Sequence, residues 1–285
     1  MSRTRRFASI LCLFAISFLC ESASGIEIYV TVENNSGTYP LGKLTIDGSN
    51  VTYAEIDPID PSNNQAYENL TWSDGANAFY STYAYVDGQT PKTGLATVNQ
   101  SATPTNINSD IGYFLGLSTD MLNDNLYGYR SADNKLGTFD KGTGAFQPVG
   151  NASGIEATGN PGQMAFLNNK FYMATITADG NEFGSLDKTT GAFTNIRTDS
   201  FFNQMLLASD GVNLYAIKSK GFQVYSINPA NGTETLIGTP TGTSNVWQFF
   251  GASTTVPEPG TYILGGISTC LLAVARRRKL RRRHA

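Results

Sequence analysis

Between residues 26 and 254 the chain alternates apolar and polar positions over short runs, broken by Gly, Asn, Asp and Thr. That period predicts half-buried strands joined by tight turns, not long helices. Some runs repeat. Asn125-Leu126-Tyr127-Gly128 precedes Leu136-Gly137-Thr138-Phe139 and the turn Asp140-Lys141-Gly142-Thr143-Gly144. Lys170-Phe171-Tyr172 precedes Phe183-Gly184-Ser185-Leu186 and Asp187-Lys188-Thr189-Thr190-Gly191. Asn213-Leu214-Tyr215 precedes Val224-Tyr225-Ser226-Ile227 and Asn228-Pro229-Ala230-Asn231-Gly232. A weaker copy runs from Ala78-Phe79-Tyr80 to Leu95-Ala96-Thr97-Val98-Asn99. Each apolar–Tyr pair predicts a second strand whose two rows of side chains point to opposite faces of its sheet. The residues Asp140, Asp187 and Asn228 predict structural turns: their side chains can bond the backbone two residues on, and Gly supplies positive φ.

The turn residues Asn99, Asp140, Asp187 and Asn228 are spaced by 41, 47 and 41 positions. Units of about 40–50 residues with several short strands are the mark of propeller blades. An apolar strand precedes the pair in two units, at residues 162–167 and 203–208, and its Gln-led pattern recurs at 246–252. That last strand has no three successors, but residues 27–32, 41–46 and 51–56 supply three strands without a leader. Joining them completes a blade. The expectation is an all-β, five-bladed β-propeller with one-plus-three strand closure across residues 26–254, which leaves no open sheet edge at the seam.

The two ends follow other rules. Arg3, Arg5 and Arg6 precede an apolar run from Phe7 to Leu19, and small residues follow at Ser22, Ala23, Ser24 and Gly25. This is the order of a signal peptide, and the run is too short for a bilayer about 30 Å thick. Residues 1–25 are expected to be removed by signal peptidase after passage through the secretion translocon. At the other end Val256, Pro257, Glu258 and Pro259 precede an apolar stretch from Tyr262 to Ala275. Arg276, Arg277, Arg278, Lys279, Arg281, Arg282 and Arg283 follow. A basic cluster of that kind stays cytoplasmic and leaves the body outside.

The order Pro-Glu-Pro, apolar helix, Arg-rich tail over residues 255–285 resembles the PEP-CTERM sorting signal, also known as an ice-binding protein C-terminal domain. The resemblance covers about 30 residues. It implies export, a transmembrane helix that holds an inner-membrane precursor, and recognition by an exosortase-type transpeptidase near Pro257-Glu258-Pro259. It implies a bacterial host and a final place at the cell surface or outside the cell. It says nothing of the ligand of the body.

Charge and composition narrow the chemistry. The body between Gly25 and Gly260 holds 10 Lys and Arg against 22 Asp and Glu, a net charge of −12. That balance argues against nucleic acid, which needs basic clusters to neutralise phosphate. The cysteines (Cys12, Cys20, Cys270) and the single histidine, His284, all lie outside the body. Disulfides, Cys or His metal sites and a Ser-His-Asp triad are therefore excluded from it. No catalytic residue, metal ligand or cofactor is assigned. Asp140 and Asp187 read as turn residues rather than calcium ligands, since each is followed by a lysine. Asp57 and Asp60 form an acid pair in a Pro-broken loop. With 14 Tyr and 16 Phe, aromatics beside Asn and Gln would suit a polysaccharide, whose rings stack on aromatic faces. Trp72 and Trp247 fall outside the repeat. The expected protein is a non-catalytic, exopolysaccharide-associated surface or matrix protein; the alternative is a hydrolase or lyase acting on an extracellular polymer.

Overall fold

A computed structural model describes residues 25–59, 65–87, 90–155, 157–159, 163–202 and 205–254. Among them five sheets form. The first carries β1 (Ile26–Asn34), β2 (Pro40–Asp47) and β3 (Asn50–Pro58), in that order outward. The second carries β4 (Ala66–Ser73), β5 (Ala78–Asp87), β6 (Thr90–Val98) and β7 (Pro104–Asn108). The third carries β8 (Phe114–Asp120), β9 (Asn125–Arg130), β10 (Lys135–Phe139) and β11 (Phe146–Pro148). In the fourth, β13 (Met164–Leu167) leads β14 (Lys170–Thr177), β15 (Gly180–Leu186) and β16 (Phe193–Thr198), while β12 (Ala157–Gly159) pairs the far end of β14. The fifth carries β17 (Met205–Ser209), β18 (Leu214–Lys218), β19 (Val224–Ile227) and β20 (Glu234–Gly238).

The last strand, β21 (Val246–Thr254), completes the first blade by pairing with β1, with Ile28 opposite Thr254 and Val30 opposite Ala252. The innermost strands pack in a cycle: β21 on β4, β4 on β8, β8 on β13, β13 on β17, and β17 back on β21. Five sheets whose inner strands close a ring make a five-bladed β-propeller, with the one-plus-three closure that the spare strands predict. A second seal joins the same seam. Thr241 pairs in parallel with Thr52, and Tyr53 N donates to Thr241 O at 2.8 Å.

The apolar interior is divided among the seams between blades, and each has its own cluster. The apolar–Tyr pairs show how. Leu126 packs toward the second blade and Tyr127 toward the fourth. Phe171 packs toward the third blade and Tyr172 toward the fifth. Leu214 packs toward the fourth and Tyr215 toward the first. Phe79 and Tyr80 divide likewise. Strand alternation sends successive residues to opposite faces, so each pair serves two seams. Within the third and fourth blades a glycine makes room for a ring. A Cβ on Gly137 or Gly184 would stand inside the ring of Phe146 or Phe193. In the fifth blade Tyr225 takes the glycine position and Glu234 takes the place of the phenylalanine.

Candidate functional site

Antiparallel succession puts the turns after the first and third strands of each blade on one face, here the lower. The hairpins after the second strands, and the connections between blades, lie on the upper face. On the lower face Asp140 Oδ1 accepts from Gly142 N at 3.0 Å, Thr143 N at 2.7 Å and Thr143 Oγ1 at 2.8 Å. Asp187 Oδ1 accepts from Thr189 N and Thr190 N, and Asn228 Oδ1 from Ala230 N. Hydrogen bonds from the Thr143 hydroxyl and backbone hold the Asp140 carboxyl below its ordinary range. The lysines after these aspartates reach the preceding blade. Lys141 Nζ lies 2.7 Å from Ser73 Oγ of the second blade and 2.6 Å from Asp124 Oδ2 of its own blade. Lys188 Nζ lies 2.9 Å from Asp120 Oδ2, whose side chain is almost fully buried. Nothing in the repeat signals these inter-blade ties except the shared 68-residue separation of Lys141 from Ser73 and of Lys188 from Asp120.

The inner strands are tied by small polar groups. Thr119 N donates to Thr71 Oγ1 at 2.9 Å, and Trp72 N to Ser253 Oγ at 2.8 Å. Thr254 Oγ1 donates to Ser209 O, and from the hairpin between β18 and β19 Ser219 Oγ donates to Phe249 O. At the break between β12 and β13, the buried Gln163 turns its amide oxygen to Ala252 N of the first blade, 2.9 Å away. Asn69 is also fully buried and has φ +50, where β4 bulges against β5. Its amide nitrogen donates to Phe114 O and Thr82 Oγ1.

Bulges re-aim neighbouring side chains, and the residue next to this one is Glu68. Burial holds its carboxyl above the ordinary range. The phenols of Tyr39 and Tyr113 are raised first by burial, and the Glu68 carboxylate raises both further. Tyr39 in turn lies beside Phe250, with ring centroids 6.0 Å apart. Sequence reading missed Glu68, because β4 carries no repeat signature. Among the described residues no three His, Cys, Asp or Glu side chains gather as a metal site. Asp57 is the last residue but one of β3, exposed on the outer edge of its blade; Asp60 lies outside the described residues.

The two tryptophans differ. Trp72 is half-buried, stacks edge-on to Phe79 and donates its indole N–H to Asp74. Trp247, at the upper end of β21, is 51% exposed with Lys220 Nζ 4.6 Å from its ring centroid.

Residues 1–24 of the expected signal peptide, Val256, Pro257, Glu258, Pro259, the apolar stretch and the basic tail all lie outside the described residues. No helix among the described residues is long and apolar enough to cross a membrane. A family model for the PEP-CTERM protein-sorting motif matches residues 255–279. No curated protein sequence matches the chain. The body is similar in fold to a chain in the crystal structure of a nidogen/laminin complex, with a TM-score of 0.52 and 10% identity over 80% of this chain and 97% of that one. A second similar structure is TolB from Acinetobacter baumannii, with a TM-score of 0.48 and 14% identity over 76% of this chain and 53% of that one.

Proposed function

We propose that this chain, a five-bladed propeller that carries a PEP-CTERM sorting motif, is an exported surface or matrix protein whose propeller binds extracellular polysaccharide without turning it over. The carrying observation is the order of parts: the strand that closes the ring ends at Thr254 and the sorting motif begins at residue 255. The body is complete before the signal starts, so exosortase-type processing near Pro257-Glu258-Pro259 would remove no strand from the ring. On this reading the translocon exports the chain, signal peptidase removes residues 1–25, and residues 262–275 hold the precursor in the inner membrane until it is sorted.

Mass spectrometry of the chain ends in membrane and extracellular fractions tests this reading. A product starting near Gly25 and ending near Pro259, found outside the membrane, is the expected result. A full-length chain confined to the inner membrane would overturn the sorting claim. Glu68 favours a second reading, as a polymer hydrolase or lyase: a carboxyl held above its ordinary range beside two phenols is what a general acid needs.

A further inference from the structure

The cations of the body are nearly all matched with carboxylates. Lys43, Lys92, Arg130, Lys135, Lys141, Lys188 and Arg197 each lie within 4.0 Å of one. Lys170 acts on Asp187, whose carboxyl it helps to lower. Lys218 and Lys220 have no carboxylate partner among the described residues. Both belong to the hairpin that joins β18 to β19 on the upper face, and both lie over aromatic rings. Lys218 Nζ is 5.0 Å from the Phe201 ring centroid, on the side of the fourth blade. Lys220 Nζ is 4.6 Å from that of Trp247, on the side of the first. Lys220 is exposed, and so is half of the indole beneath it. The hairpin is held by backbone geometry that side chains rarely adopt: Gly221 has φ +84 and Phe222 φ +58, with the Phe222 ring packed 4.9 Å from Phe249. Strain of this kind in a bulky residue persists where surrounding packing enforces it, and it fixes where the two lysines stand.

We propose that this upper edge of the fifth blade is a subsite for an acidic polysaccharide, with a uronic-acid ring on the indole of Trp247 and sugar carboxylates at Lys220 and Lys218. The inference rests on the polysaccharide-binding reading above and adds the charge of the ligand and its address. An aromatic face takes the apolar side of a sugar ring, and an ammonium already free of protein carboxylates loses no ion pair when a ligand carboxylate arrives. The remainder of the body is acidic and repels a polyanion, which confines docking to this edge. Screening limits that repulsion to about 8 Å at physiological salt, so the local pair decides. Two cations are few for a nucleic acid, whose affinity grows with each phosphate neutralised.

Tryptophan fluorescence of the full-length chain in detergent tests the proposal. In a Trp72→Phe background Trp247 is the only indole left. An oligogalacturonate should shift its emission saturably, more weakly as salt is raised, and Lys220→Ala should weaken binding about tenfold. Lys170→Ala should leave it unchanged. The same response to a neutral maltooligosaccharide would keep the polysaccharide reading and overturn the acidic subsite. Equal binding of polyglutamate or of oligothymidylate would overturn it in favour of a protein or nucleic-acid contact. Binding unmoved by Lys220→Ala would overturn the site, and no response to either sugar would count against it and the polysaccharide reading together. Binding is measured on purified protein, so neither export nor terminal processing enters the result.

Discussion

Glu68 shows how much a single residue can carry that a repeat conceals. Its neighbour Asn69 holds φ +50 in mid-strand, and the bulge leaves a carboxyl that burial makes reluctant to ionise. A carboxyl raised on folding costs nothing while both states are protonated. It begins to oppose folding as pH rises past the unfolded value of about 4.3. Glu68→Gln should therefore raise Tm at pH 7, and the gain should vanish below about pH 4; thermal scans across pH check it. If the same variant also ends turnover of an extracellular polymer, the catalytic reading is the right one. Asp140 and Asp187 could be read directly, because a short acid before Thr and Gly has an obvious local use in the backbone of its own turn. The position of Glu68 could not, since what matters there is a bulge and the approach of Tyr39 and Tyr113 from distant parts of the chain.

At the level of elements, the turn lysines make the outer hairpins of the third and fourth blades clasps on the blades before them. Lys188 meets Asp120 of the preceding blade where that carboxylate is 1% exposed, while Lys141 meets Asp124 of its own blade at 35% and reaches the preceding blade only at Ser73. Removing one partner strands the other, and the penalty grows with burial. Lys188→Ala should cost about 2 kcal/mol, more than Lys141→Ala, and a double-mutant cycle with Asp120→Asn should recover part of that loss. Denaturant unfolding of the four chains measures it. Strands outside these clasps were legible to different degrees. β13, β17 and β21 announce themselves by an apolar run behind Gln, and the three strands near the start find their leader at the end of the body. The inner strands β4 and β8 carry no such pattern. β4 interrupts its apolar positions with Glu68, Asn69 and Thr71, side chains that serve the bulge and the joint with the third blade.

For the molecule as a whole, stability belongs to a cycle of seams, and the ring has no seam to spare. A chain ending before Val246 lacks β21 and with it the pairing to β1. It should lose the single cooperative urea transition, with a smaller m-value, whereas a chain ending at Thr254 should keep both. The five-blade count was readable because blade length is a period that survives divergence of the residues inside it, while the seam partners were not, because each is set by packing between units. On the proposed export of the chain through a translocon, the pairing of the first strand with the last has a further meaning. Translation and export deliver β1 first and β21 last, so β1 must wait, with one side of its sheet exposed, until almost the whole body has crossed. Completion of the fold is thus a receipt for complete delivery: a stalled or shortened product keeps the inner edge of β1 open for a protease to recognise, and in the finished one β21 covers that edge.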